Sequence, residues 1–256
     1  MTDGRELRLR RLFPPGGRKL FAVPLDHSVS MGPIDGLEDS ARTVRELQTA
    51  GADAFVVTRG AAQRIVPVLQ ASTLLGVHLS ASTALAAEPD HKILVGSVED
   101  ALAAGADFVS VQVNFGLPQE PAMLRDLGVV VEQSRRCGVP VLCMAYVKKG
   151  PEPSPLEIAH AARAVADLGA DVVKTSYPGS TRTLRRVVEL TPAPVLLGGG
   201  IRADDPESIL AVVRSARDAG AAGICIGRNL FQRHPLGPFA RKVSAILRAN
   251  SGRGDA

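Results

Sequence analysis

Short apolar runs rich in β-branched residues punctuate this chain, and several follow an amphipathic stretch that ends in glycine. Ala50-Gly51-Ala52-Asp53 precedes Phe55-Val56-Val57, and Ala104-Gly105-Ala106-Asp107 precedes Phe108-Val109-Ser110-Val111. Leu168-Gly169-Ala170-Asp171 leads into Val172-Val173-Lys174, and Ala219-Gly220-Ala221-Ala222-Gly223 before Ile224-Cys225-Ile226-Gly227 is a degenerate fourth copy. Each copy reads as a glycine closing a helix, a short turn and a strand. The copies lie roughly 50–65 residues apart, the length of two βα units.

Filling the intervals gives eight strands near Lys19–Leu25, Ala54–Thr58, Gly76–Leu79, Phe108–Val113, Pro140–Met144, Asp171–Thr175, Pro194–Leu197 and Gly223–Gly227. Amphipathic helical stretches fall between most of them, for example Asp39–Ala50, Leu156–Leu168 and Pro206–Ala219. Eight parallel strands alternating with helices in about 250 residues predict an α/β fold, a single-domain (βα)8 TIM barrel. The rival, an open doubly wound sheet, lacks a GxGxxG after an early strand. The barrel is expected over residues 1–250, with 251–256 as a flexible tail.

Composition narrows the class. The chain has 256 residues, 45% hydrophobic and 22% charged, and no apolar run of membrane-spanning length. No signal-like stretch precedes Leu20, so a cytoplasmic location is expected, with no membrane partner. Cys137, Cys143 and Cys225 lack CxxC spacing and read as reduced thiols. The net charge of +4 and the basic stretch Arg5, Arg8, Arg10, Arg11 raise nucleic acid as a partner. With no Trp and only scattered Phe and Tyr, no stacking platform exists, so nucleic acid is not expected. Basic surface equally suits phosphorylated small molecules.

In a TIM barrel the chemistry stands at the strand C-termini. There the chain places Asp26-His27, His78, Gln112, Asn114, Tyr146 with Lys148 and Lys149, Lys174, Gly198-Gly199-Gly200 and Gly227-Arg228-Asn229. Lys174 interrupts an apolar strand, where an ammonium is costly to bury. Desolvation is expected to lower its pKa and prepare it to attack a carbonyl as a Schiff-base nucleophile. Gly199, Gly200 and Gly227 permit backbone N–H groups to approach a phosphate, and Arg228 adds a guanidinium fork. Tyr146 and Asp26 are the acid/base candidates; a capping carboxylate and a core-edge aromatic are their structural alternatives. His27, His78, Asn114 and Lys148 are candidates for holding substrate polar groups. No HxH, HxxH or HExxH spacing occurs among the histidines, so no metal is expected.

The segments Val23–Leu37, His78–Thr83, Lys92–Asn114, Asp171–Gly179 and Ile226–Gln232, in that order, resemble the 2-amino-3,7-dideoxy-D-threo-hept-6-ulosonate synthases. That group is related to archaeal-type fructose-bisphosphate aldolase and has a secondary-metabolism branch that makes a seven-carbon aminophosphate. The resemblance implies a metal-free barrel with a covalent lysine imine at Lys174 and acid/base roles for Asp26 and Tyr146. It implies phosphate held by the glycines after strand seven and by Gly227-Arg228, and a homo-oligomer. It also implies a phosphorylated ketose donor, either dihydroxyacetone phosphate or a deoxyketohexose phosphate, and L-aspartate 4-semialdehyde as acceptor. Gln112 stands where a histidine is expected, Val147-Lys148-Lys149-Gly150 replaces Pro-Arg-Gly after Tyr146, and Pro178 replaces a threonine. These departures touch the mouth and not Lys174, Asp26 or Tyr146. Fructose-bisphosphate cleavage and a non-catalytic phosphate-binding barrel stand as the alternatives.

Overall fold

The computed structural model describes residues 4–150, 152–200 and 204–249; the expected tail at 251–256 lies outside them. Eight strands pair in parallel, each with the next, and the ring closes: β1 (Leu20–Pro24), β2 (Ala54–Thr58), β3 (Leu74–His78), β4 (Phe108–Phe115), β5 (Val141–Val147), β6 (Val172–Thr175), β7 (Val195–Gly198) and β8 (Gly223–Cys225). Around them run α1 (Gly4–Leu12), α2 (His27–Met31), α3 (Ser40–Thr49), α4 (Arg59–Ile65), α5 (Val98–Ala103), α6 (Glu120–Cys137), α7 (Pro155–Asp167), α8 (Thr181–Leu190), α9 (Pro206–Asp218), α10 (Arg228–Phe231) and α11 (Leu236–Arg248). The architecture is the TIM barrel that the repeat predicts.

The repeat has a physical basis at both of its polar positions. Gly51, Gly105, Gly169 and Gly220 have φ of 104°, 90°, 106° and 81°, a region in which a side chain is strained, so glycine closes each helix. The aspartate two residues later then caps a neighbouring strand. Asp53, Asp107 and Asp171 accept the backbone N–H of Phe21, Leu75 and Val141 at 2.9, 3.0 and 2.8 Å. Their second carboxylate oxygens meet arginines: Arg18 and Arg248 at Asp53, Arg11 at Asp107 and Arg5 at Asp171. α1 therefore lies under the barrel with Leu12 buried beneath it. The basic stretch is engaged there, since Arg8 also donates to the Gly138 carbonyl at 2.9 Å and Arg10 pairs with Glu6.

Alternation sets what fills the barrel. Leu20, Ala22, Ala54, Val56, Leu74, Phe108, Leu142, Met144, Val172, Leu196 and Cys225 form the interior cluster, while the opposite faces of the strands pack on the helices. A Cβ on Gly76 would meet the Phe108 ring at 2.4 Å, so the small residue makes room for the large one. Advancing two residues from interior positions reaches the mouth: Val172 to Lys174, Met144 to Tyr146, Gly76 to His78, Cys225 to Gly227.

Strand boundaries differ from expectation by up to three residues, most consequentially at three strands. β3 starts at Leu74, and β4 and β5 extend to Phe115 and Val147, which places Asn114 and Tyr146 inside strands. After β3 the chain forms an unexpected antiparallel pair, Ser80–Ala81 with Ile93–Leu94, which carries the 82–92 loop over the mouth. Among the described residues no helix is long and apolar enough to cross a membrane.

Candidate active site

A cavity of about 1160 Å³ opens at the C-terminal end of the barrel, lined by residues from every strand-to-helix connection that carries candidate chemistry. Lys174 lies in its floor with 6% of its surface exposed, its Nζ 3.8 Å from Met144 Sδ and 5.9 Å from the centre of the Tyr146 ring. Gly198 keeps this corner open. A Cβ there would lie 3.0 Å from the Thr175 carbonyl oxygen, 3.4 Å from Lys174 Cε and 3.8 Å from the Tyr146 hydroxyl.

The expectation of a depressed Lys174 pKa is not met. Burial does work against the ammonium, but Cys225, Tyr146 and Asp26 around it together outweigh burial and hold it above the usual lysine range. The single strand reveals the burial; the partners arrive from β5, β8 and the end of β1. Tyr146 is pushed up, chiefly by burial against the opposing pull of Lys174, so it carries its proton at neutral pH. For Asp26, burial raises the pKa, but His78, His27 and Lys174 together lower it further, and the carboxylate stays ionised.

Two histidines flank that carboxylate. His78 Nδ1 is hydrogen-bonded to Ser110 Oγ at 2.7 Å, and its Nε2 stands 3.8 Å from Asp26 Oδ2. His27 Nδ1 lies 3.5 Å from Asp26 Oδ1 without a hydrogen-bond partner among the described residues, its ring edge-on to Phe231. Burial brings the His27 pKa down to about 4, against the opposing pull of Asp26. Both rings line the cavity as neutral imidazoles.

The glycine segments meet on one wall. Gly198, Gly199, Gly200, Gly227 and Arg228 all face the cavity, with Asn229 Nδ2 donating to the Gly199 carbonyl at 2.9 Å. Any side chain at Gly227 would strike the His27 ring at 2.6 Å, and one at Gly199 would strike Ile226 at 2.7 Å. Backbone is therefore what this wall presents, together with the Arg228 guanidinium.

Asn114 is a correction. It is fully buried, does not line the cavity, and donates to the Asp90 carbonyl at 2.6 Å while accepting from Gln112. It ties β4 to the 82–92 loop. Lys148 does line the cavity, paired with Asp90 at 2.9 Å. Asp90, Lys92, Met144 and Cys225 also line it and were not foreseen. Alternation from Leu142 and Val172 gives a signal for Met144; nothing local marks Asp90 or Lys92, which a loop delivers. Among the described residues no group of three or more His, Cys, Asp or Glu is placed to hold a metal ion.

Comparison with known proteins agrees with this geometry. The DeoC/LacD family aldolase model matches residues 20–233. The 2-amino-3,7-dideoxy-D-threo-hept-6-ulosonate synthase of Halobacterium salinarum is 41% identical, over 96% of this chain and 93% of its own. The 2-amino-4,5-dihydroxy-6-oxo-7-(phosphonooxy)heptanoate synthase of Streptomyces griseus is also 41% identical, over 98% of this chain and 93% of its own. A solved Schiff-base-forming fructose-1,6-bisphosphate aldolase superposes with a TM-score of 0.87 at 28% identity, covering 95% of this chain and 99% of that one. A lysine-floored barrel mouth, a family model spanning most of the chain and relatives matched nearly end to end lead to one assignment: the chain belongs to the DeoC/LacD aldolase family.

Proposed function

We propose that this enzyme is a class I aldolase that joins dihydroxyacetone phosphate to L-aspartate 4-semialdehyde through a Schiff base on Lys174. One observation carries the reading: a buried lysine faces an ionised aspartate and a protonated tyrosine in a cavity whose adjoining wall is glycine backbone and arginine.

The steps follow from those charges. The donor phosphate binds the backbone of Gly199, Gly200 and Gly227 with Arg228, and brings the ketone to Lys174. Lys174 gives up its ammonium proton to solvent, and the free amine attacks the carbonyl carbon. Loss of water gives an iminium, which acidifies the neighbouring C–H; the Asp26 carboxylate takes that proton and leaves an enamine. The enamine carbon attacks the aldehyde, and Tyr146 donates its proton to the forming alkoxide and regains one from the protonated Asp26. Water then hydrolyses the imine and returns the lysine.

The name of one relative supports this substrate pair. In 2-amino-4,5-dihydroxy-6-oxo-7-(phosphonooxy)heptanoate, made by the Streptomyces relative, the bond between C4 and C5 is the aldol bond to the 6-oxo group. Breaking it leaves dihydroxyacetone phosphate on one side and a 2-amino-4-oxobutanoate on the other. Fructose-1,6-bisphosphate cleavage is the second reading, favoured by the structural likeness to that aldolase. Both use the same lysine and differ in the acceptor.

Sodium borohydride with dihydroxyacetone phosphate tests the covalent step, with a mass increment expected on the peptide that contains Lys174. An unmodified peptide across a panel of ketose phosphates would overturn it. Product analysis with aspartate semialdehyde against glyceraldehyde 3-phosphate then decides the acceptor.

A further inference from the structure

Lys92 has no part in the aldol steps, yet it is only 8% exposed and stands in the cavity wall. Its ammonium donates to Ser82 Oγ and, at 3.4 Å, to the Pro89 carbonyl, both neutral acceptors. A buried ammonium without a hydrogen-bonded anion is short of compensating charge. Burial accordingly holds Lys92 below the ordinary lysine range, and the more distant Asp90 and Asp26 offset that only in part. Asp90 and Lys148 stand in the same wall, bonded to each other at 2.9 Å and 46% and 37% exposed at their side chains. This wall therefore offers two cations and one carboxylate within a few residues of a pinned loop.

Its place in the ring matters. Asp90 and Lys92 hang from the connection after β3, whereas the glycine wall follows β7 and β8. β7 lies four places from β3 in an eight-stranded ring, so the two walls face each other across the mouth. If the glycine wall takes the donor phosphate, the acceptor must reach the enamine from the other side.

Building on the aldolase reading above, we propose that Lys92, Lys148 and Asp90 form the subsite that recognises the acceptor as an α-amino acid. The two ammonium groups take its carboxylate and Asp90 takes its ammonium. An α-amino acid presents both charges on adjacent atoms and so needs both signs in one place. A triose phosphate presents anionic charge alone and would meet Asp90 as a like charge. The structural rival is a staple: Lys92 tying Ser82 to Pro89 to hold the loop, with no contact to substrate.

A series of acceptors on the wild-type enzyme separates the two without any substitution. Aspartate semialdehyde, succinate semialdehyde and butanal differ by removal of the amine and then of the carboxylate. Each removal is expected to lower kcat/KM roughly tenfold or more, as for a lost charge-assisted hydrogen bond. In Lys92→Gln the preference for succinate semialdehyde over butanal shrinks by about tenfold, and in Asp90→Asn the preference for aspartate over succinate semialdehyde shrinks likewise. Lys148→Gln, at a half-exposed position, reports the carboxylate contact if Lys92→Gln does not fold. Equal kcat/KM for butanal and aspartate semialdehyde in the wild type, or a uniform loss across all acceptors in Lys92→Gln and Lys148→Gln, would overturn the subsite. Borohydride trapping of the donor keeps the two readings apart. A Lys174 adduct without acceptor discrimination removes only the subsite, while no adduct removes the aldolase reading beneath it.

Discussion

At the N-terminal end of the barrel, Asp53, Asp107 and Asp171 each satisfy a strand N–H with one oxygen and an arginine with the other. At the C-terminal end, Asp26 meets two histidines at 3.5 and 3.8 Å, one of them with a bare Nδ1 among the described residues, and Lys174 donates to the Met144 sulfur at 3.8 Å. Charge at the bottom is completed by the protein itself, so it contributes to stability. Charge at the mouth is held close to partners and left short of full pairing, which keeps lone pairs and protons available for a substrate. The same residue types thus do different work at the two ends, in keeping with the general division of labour in this fold.

Substitutions at the mouth should affect rate far more than stability. Lys174→Ala should lower turnover by on the order of 10⁴ or more and abolish the borohydride adduct, with an unchanged circular dichroism spectrum. Tyr146→Phe should cost roughly 10²–10⁴ in kcat, with the adduct still formed, if the hydroxyl is the proton donor. A Tyr146→Phe enzyme at full speed would leave the mouth without its acid.

His27 gives the comparison a pH axis. Its pKa of about 4 in the fold, against 6.5 ordinarily, means that the unfolded chain binds a proton between those values and the folded chain does not. Stability should therefore rise from pH 4 to 6.5 and be lost as the pH falls back, by about 3 kcal/mol for this group. His78, lowered too, acts in the same direction. Urea denaturation across that range should show the slope, and His27→Gln should flatten it. An equally steep profile in the variant would relocate the effect.

The smallest expected effect is at the bottom. Asp171→Ala leaves the Val141 N–H and Arg5 without this carboxylate, at a cost of about 1–3 kcal/mol. The melting temperature should fall by a few degrees while kcat/KM holds. A loss of rate at unchanged melting temperature would erase the distinction between the two ends.

Much of this division was legible before the fold was known. The Ala-Gly-Ala-Asp copies mark helix ends because positive φ favours glycine, and strand alternation carries Lys174 and Tyr146 to the interior side once Val172 and Met144 are placed in the core. Those are local signals, fixed by backbone sterics and a period of two. Asn114 shows the opposite: it stands near a strand end as expected, but its amide is engaged by the Asp90 carbonyl, more than twenty residues away in a loop.

The sequence by itself determined the eight barrel strands, the closing glycines, the strand-end chemistry and the resemblance that runs along nearly the whole chain. Only the tertiary structure decided the charge on Lys174, because burial and the groups opposing it come from different strands and their balance is a matter of distance. It alone decided that Asp90 and Lys92 stand across the mouth from the glycine wall, since loop placement depends on ring closure and not on local pattern. Conformational preference is written residue by residue; electrostatic environment belongs to the assembled neighbourhood.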